Sequence, residues 1–218
     1  MQDARLSPMP NATAMAERAY AHTKRLVLSG ALPPGQLINE SAIATELGIS
    51  RTPVHEAFLR LETERLLVLY PRRGAAVQPM APNEARDVVE MRQAIESAAV
   101  RRALADAAPP EPVLDGLRRL VAEGDARNAA GDLEGFVECD ADLHGALIAA
   151  SGNATASHLH DLLRDRQSRL RLQLLRLLPQ HMAAAAAEHH GLLDAFAARD
   201  ADRYEELLHR HLEFYRHS

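Results

Sequence analysis

Three features of the sequence predict a mainly α-helical protein built in two parts. Aromatic residues are scarce at 4%, tryptophan is absent, and Ala, Leu and Arg recur at helical spacing over long stretches. Prolines and glycines interrupt those stretches at intervals, because a fixed φ or a missing N–H cannot carry a helix onward. One pair of short β-prone runs, at 66–70 and 75–78, separates a first group of helices from a second that contains helices alone. At 218 residues and 47% hydrophobic content the chain can bury a core in two domains, or in one large one.

Residues 1–12 contain two prolines and an asparagine and read as a flexible arm. An amphipathic helix over 14–28 is stopped by Gly30 and by Pro33-Pro34-Gly35. A short helix over 39–47 ends at Gly48. Ser50 then stands as an N-cap before Arg51-Thr52-Pro53, with Val54, Phe58 and Leu61 on the apolar face and Pro53 tolerated in the first turn. Pro71-Arg72-Arg73-Gly74 joins the two β-prone runs into a two-stranded hairpin with a basic tip. Helix, short helix, turn, helix and hairpin, over 13–79, is the order of a winged helix-turn-helix. Residues 80–82 form the linker. Six helices follow within 83–218, at about 83–107, 111–130, 132–151, 154–177, 180–198 and 200–216; their short connections read as an antiparallel bundle.

The net charge of −5 argues against nucleic-acid binding until its distribution is considered. Through Gln78 there are nine Lys/Arg against seven Asp/Glu; beyond it, sixteen against twenty-three, so the acidity belongs to the second part. The lone cysteine, Cys139, has no partner in the chain, which suits a reducing compartment. No apolar run approaches the roughly 20 residues a membrane span requires, and the first residues lack the pattern of a signal peptide. The expectation is a cytoplasmic protein without membrane attachment.

In a winged helix-turn-helix the second helix of the pair enters the major groove by its N-terminal end. Ser50, Arg51 and Thr52 occupy that end, where free backbone N–H groups and the helix dipole favour phosphate and where hydroxyls and a guanidinium reach phosphates or base edges. Arg72 and Arg73 at the hairpin tip would lie along the neighbouring backbone or minor groove.

The stretch Gly30-Ala-Leu-Pro-Pro-Gly35, then Leu37, Glu40 and ELGISRTPVHEAFLRLETERLLVLYPRRGAAV, resembles the signature of the GntR family of bacterial regulators. The resemblance implies a homodimer on double-stranded DNA with a near-palindromic operator. It implies contacts from Ser50, Arg51, Thr52 and His55 on the recognition helix and from the wing around Gly74. Two residues depart from the family pattern: His55 stands where Arg is usual, and Arg65 where Gly is usual. A histidine there can donate a hydrogen bond but lacks the bidentate fork of arginine.

In the second part, the helix near 132 carries an apolar stripe of Leu133, Phe136, Val137, Leu147 and Ile148, and Asp140 and His144 fall inside it. Residues four apart share nearly one azimuth, so this carboxylate and imidazole are buried together and need partners. His189 shares a stripe with Leu192, Leu193 and Phe196, and His211 with Tyr204, Leu207, Leu208, Leu212 and Tyr215. Three of the eleven histidines thus point inward beside one aspartate, whereas Glu188, one residue from His189, should point elsewhere. One carboxylate and three neutral imidazoles suit a divalent ion, zinc first and nickel or manganese as alternatives, with positions left open for water or an anionic ligand.

This half also resembles the FCD ligand domain of the FadR-type branch, in its six-helix, VanR-like form. The resemblance rests on Arg92 and Glu96, Asp140 and His144 followed by Ser151-Gly152-Asn153, Glu188-His189, and His211-Leu212. It implies that the same Asp and three His hold the ion and that Arg92 faces the effector, a small organic acid, where a guanidinium clamps a carboxylate. The competing role for Arg92 is a plain i,i+4 ion pair with Glu96. The whole reads as a nucleoid-associated bacterial repressor controlled by a carboxylate metabolite. A regulator sensing the ion itself and a metal-dependent hydrolase are the alternatives, the latter disfavoured by the absence of HExxH and of paired carboxylates.

Overall fold

A computed structural model describes residues 12–81, 83–105 and 108–216. The arm expected over 1–12 lies outside the described residues except for Ala12, and so does Pro82 of the expected linker. The chain divides into two compact units, Met1–Met80 and Ala81–Ser218.

In the first unit, α1 (Ala12–Leu28), β1 (Leu37–Ile38), α2 (Glu40–Leu47), α3 (Arg51–Thr63), β2 (Leu67–Tyr70) and β3 (Gly74–Val77) follow in order. Asn39 caps α2 by accepting from the Ser41 amide at 2.8 Å, and Gly48 ends it in the left-handed conformation. Pro53 lies buried in the first turn of α3, as its ring geometry permits. Tyr20, Val27, Ile43, Val54, Phe58, Leu61, Leu66 and Val77 close the core. Fully burying each of the larger of these side chains is worth about 1.5–3 kcal/mol.

The expected two-stranded hairpin has a third strand. β1 pairs antiparallel with β3 and gives the order β1-β3-β2, with Leu37 opposite Ala76 and Leu67 opposite Val77. Two residues are too few to show alternation, so the strand leaves no periodic trace in the sequence. The pairing makes Gly74 indispensable. At φ 90° its backbone runs so close to β1 that a Cβ would meet the Ile38 carbonyl oxygen at 2.3 Å.

The second unit consists of α4 (Glu84–Ala105), α5 (Glu111–Ala130), α6 (Leu133–Ala149), α7 (Ala154–Leu177), α8 (His181–Ala197) and α9 (Ala201–Arg216), within two or three residues of the expected bounds. Gly131 ends α5 at positive φ, Asp132 caps α6 through the Gly135 amide at 3.0 Å, and Asn153 caps α7 through the Ala156 amide at 3.2 Å. Helix α6 packs against α4, α5 and α7, while α9 packs against α4, α7 and α8. Phe136, Leu143, Leu147, Leu175, Phe196, Tyr204 and Leu208 fill the space between them. No helix among the described residues is long and apolar enough to cross a membrane.

Arg65 adopts φ 59°, the left-handed region that favours glycine, at the turn between α3 and β2. Holding a non-glycine residue there costs about 1–2 kcal/mol, of which glycine's greater unfolded-state entropy returns about 0.5–1. Arg65→Gly should therefore raise the thermal midpoint of the first unit by about 2–4 °C. Gly74→Ala should lower its stability by about 2 kcal/mol because the β1 backbone blocks the added methyl. Calorimetry on the two variants checks both signs.

Candidate DNA-reading surface and metal centre

The N-terminal end of α3 is exposed at Ser50, Arg51 and Thr52 and, one turn on, at His55. Ser50 holds the N-cap position at φ −74° and ψ 167°, yet its hydroxyl makes no capping bond. Both the hydroxyl and the first amides of the helix thus remain available to an incoming phosphate. Glu40, at the start of α2, reaches across to this turn. Its Oε1 lies 2.7 Å from His55 Nδ1 and its Oε2 accepts from Arg51 Nη2 at 3.3 Å. The hydrogen bond to His55 holds the Glu40 carboxyl below its usual range, against a smaller upward push from burial and with help from Arg51.

At the tip of the wing the Arg73 amide donates to the Tyr70 carbonyl at 3.0 Å, and Arg72 takes φ 62°. Arg72 and Arg73 are exposed. Together with Glu40, Arg51, His55 and Tyr70 they border one concave surface running from α2 and α3 to the wing. The structure thus brings all seven residues expected to meet DNA onto neighbouring elements of one unit.

The second unit carries a buried polar cluster. Asp140 and His144 from α6, His189 from α8 and His211 from α9 each present one ligand-type atom, and these four atoms lie within 4.8 Å of one another. The two oxygens of Asp140 face different company. Oδ1 faces three imidazole nitrogens: His189 Nε2 at 2.9 Å, His144 Nε2 at 3.7 Å and His211 Nε2 at 3.8 Å. Oδ2 faces two guanidinium groups, Arg92 at 3.5 Å and Arg171 in direct contact.

Two of the rings are held from behind. His144 Nδ1 lies 2.7 Å from Glu96 Oε1, which also accepts from the Tyr204 hydroxyl at 2.5 Å, and His211 Nδ1 lies 2.7 Å from Glu188 Oε2. A carboxylate only accepts, so the proton sits on Nδ1 and each Nε2 carries a lone pair, that of His144 facing Asp140 and that of His211 accepting from Arg171 Nη2 at 3.4 Å as well as facing Asp140. The outer carboxylates orient the rings and raise their basicity as ligands. His144 Nε2 is buried without a hydrogen-bond partner. An unpaired ring nitrogen among three other ligand-type atoms is what a bound cation would satisfy, and this donor set fits a divalent metal ion.

Burial keeps the rings neutral. It pushes His144 and His211 down to about 4, with the Arg92 guanidinium adding to the effect on both and the Glu96 and Glu188 carboxylates opposing it at one ring each. His189 is driven well below the imidazole range, by burial first and then by the neighbouring rings. Burial raises the carboxyl of Glu96, but His144 and Arg92 outweigh it and hold the group low. Arg171, packed 4.8 Å from the Tyr215 ring centroid, is drawn down to about 9 mainly by burial.

Several of these residues were not anticipated. Glu188, expected to point elsewhere, turns to the outer face of His211; its position one residue before His189 sets the Cα direction but not the reach of a long side chain. Arg92 takes the i,i+4 setting, lying 3.8 Å from Glu96, and also pairs with Asp140, a partner the sequence reading did not name. Arg171 was missed, although Gln167, Arg171 and Leu175 form an inward i,i+4 row that signals it. The expectation of three inward histidines falls short by one. His160 is buried as well, on a row with Ala156 and Leu163, and lies outside the four-residue cluster.

Because His144, His160 and His211 are neutral down to about 4 when folded, the unfolded chain binds more protons between about 6.5 and 4. Stability of the metal-free protein should be constant between about pH 7 and 8 and fall as pH drops through that window. Each ring contributes at most about 3 kcal/mol. Urea unfolding of chelator-treated protein at pH 7.5 and pH 5 should show a loss of more than about 2 kcal/mol; a flat profile would contradict neutral buried rings.

Residues 15–77 match the family described as bacterial regulatory proteins, gntR family, and residues 87–214 match the FCD domain. A helix-turn-helix transcriptional regulator in an unstable DNA locus of Streptomyces ambofaciens is 30% identical over 207 residues, which cover 88% of this chain and 80% of that protein. The transcriptional repressor RspR of Escherichia coli K12 is 25% identical over 198 residues, covering 90% of this chain and 85% of RspR. Two solved structures share the fold at 22% identity. Escherichia coli McbR/YncC has a TM-score of 0.77 over 91% of this chain and 93% of its own. A GntR regulator from Rhodococcus sp. RHA1 has a TM-score of 0.78 over 92% and 95%. The chain belongs to the GntR family of bacterial transcriptional regulators, with a winged helix-turn-helix DNA-binding domain followed by a helical FCD domain.

Proposed function

We propose that this regulator is a repressor whose affinity for a near-palindromic operator is set by a small organic acid bound beside a divalent metal ion. The DNA-binding domain is residues 13–79, the linker 80–82 and the effector domain 83–218, and the protein acts as a homodimer in the bacterial cytoplasm, on the nucleoid. The observation that carries the reading is the division of labour at Asp140, with three imidazole nitrogens facing one oxygen and two guanidinium groups facing the other. Asp140, His144, His189 and His211 would hold the ion, zinc first and nickel or manganese as alternatives, which supplies a Lewis-acidic open position for a carboxylate oxygen. Arg92 and Arg171 would bind the anion.

Charge balance narrows the effector. At the cluster itself, Asp140 and Glu96 offset Arg92 and Arg171 and the three rings are neutral, while the buried Arg169 has Glu84 beside it. A divalent ion adds two positive charges to this interior, where an uncompensated charge is costly, and a dianion restores neutrality. We therefore favour a dicarboxylate over a monocarboxylate. A regulator that answers to the ion alone would leave that excess unbalanced. A hydrolase is disfavoured because every carboxylate around the cluster is already committed to an imidazole or a guanidinium.

His189→Ala combined with His211→Ala should abolish bound metal in elemental analysis, and a full complement would refute the ligand assignment. In a thermal-shift titration of zinc-loaded protein, succinate should stabilise the helical domain by at least about 2 °C more than equimolar butyrate or succinamide; equal shifts would remove the dianion argument. Arg51→Ala should weaken operator binding at least roughly tenfold in a gel-shift assay without lowering the thermal midpoint, since a charge-assisted contact is worth about 1.5–3 kcal/mol and the side chain is 70% exposed.

A further inference from the structure

His55 occupies the second turn of the recognition helix α3, on the face that also presents Arg51, with half of its side chain exposed. Its Nδ1 is not free to read DNA: Glu40 Oε1 holds it at 2.7 Å. The other oxygen of that carboxylate is already paired with Arg51, at 3.3 Å. Glu40 is itself firmly seated, since its side chain is only 16% exposed and it lies in the first turn of α2, whose start is fixed by the Asn39 cap.

A carboxylate can only accept a hydrogen bond, so the ring proton is on Nδ1. In a neutral ring that is the only N–H proton. The exposed nitrogen, Nε2, is then a lone-pair acceptor. In the major groove an acceptor pairs with the exocyclic amino group of adenine or cytosine, whereas guanine offers only acceptors there and thymine an acceptor and a methyl group. An arginine at this position would have the opposite polarity, donating in a fork to the two guanine acceptors.

We infer that Glu40 fixes the tautomer of His55, so that His55 reads an amino-bearing base, adenine or cytosine, where an arginine would read guanine. Glu40 is a positioning residue that makes no base contact of its own. The inference rests on the DNA-binding role of the first unit, and it reverses the hydrogen-bond polarity at one base per half-site relative to an arginine-bearing head.

The test is selection of DNA from a randomised duplex library at pH 8, above the ordinary range of an imidazole. Wild type, His55→Arg, His55→Ala, Glu40→Ala and Glu40→Gln are compared as full-length proteins. His55→Arg should select guanine at one position of each half-site. At that same base and strand, wild type should prefer adenine or cytosine by roughly fivefold over guanine, in keeping with one hydrogen bond. His55→Ala should lose the preference while selecting the rest of the site. Glu40→Ala should flatten it by releasing the ring, and Glu40→Gln, which keeps an acceptor oxygen, should retain it.

Guanine selected by wild type, or a wild-type profile indistinguishable from that of His55→Ala, would overturn the inference. So would a preference unaffected by Glu40→Ala. Enrichment of no sequence by any variant would instead sink the DNA-binding role on which the inference rests, so the two failures are distinguishable.

Discussion

A single buried carboxylate organises the helical domain. Asp140 is 3% exposed, and taking an unpaired carboxylate out of water costs several kcal/mol even after relaxation. That cost is met by assembling partners from other helices: Arg92 from α4, Arg171 from α7, His189 from α8 and His211 from α9. Glu96 and Glu188 then orient two of the rings from outside, and Tyr204 orients Glu96. Five of the six helices therefore contribute a polar side chain to one continuous network. Helix α5 is the exception and packs on α6 and α8 through apolar residues such as Leu117 and Val121. A cluster of this kind contributes little net stability compared with an apolar core, but breaking any one link leaves a charge stranded, so its geometry is tightly specified.

The DNA-binding domain uses a carboxylate in a related way under different conditions. Glu40 also splits its oxygens between two partners, an arginine and a histidine, but here both partners are exposed. Exposed pairs of this type contribute at most about 1 kcal/mol to stability, so their value lies in orientation. Two side chains that would otherwise sample many rotamers on the helix surface are held in one arrangement before DNA arrives, and the entropy of ordering them is not charged against binding. The uncapped Ser50 and the exposed side chains of Arg72 and Arg73 stay free on the surface expected to meet phosphate.

How much of this was legible in the sequence follows from what each signal measures. Helical periodicity records burial, so Asp140, His144, His189 and His211 could be read from their apolar stripes, and the structure gathers all four. The same rule applied to α7 would have found His160 and Arg171. There the stripe was obscured, because Arg164, Arg166, Arg169, Arg171 and Arg176 share one helix and an arginine is ordinarily assigned to solvent. Glu188 was misjudged because periodicity fixes where a Cβ points and says nothing of where a flexible carboxylate ends. β1 left no trace because two residues have no period. The unusual turn at Arg65 was visible only as a departure from the glycine that the family pattern carries, and its positive φ is the physical reason for that glycine.

The proposed function and the observed charge balance together imply that ion and anion cannot bind independently. Without either, the two carboxylates and two guanidinium groups that meet at the cluster leave it neutral. The ion alone would add two positive charges, and the anion alone would add two negative ones, in a region that water does not screen. Both together return the sum to zero. Each therefore lowers the cost of binding the other, and linkage makes that coupling reciprocal: the factor by which the metal tightens the effector is the factor by which the effector tightens the metal. The same argument locates the switch. A dianion held by Arg92 and Arg171 takes them from Asp140 Oδ2, and Arg92 stands on α4, the helix that follows the linker from the DNA-binding domain. On the proposed function, effector binding would repartition the contacts of that one helix, and any difference in its placement between the two states would have to come from differential affinity, the only source of a change in operator binding.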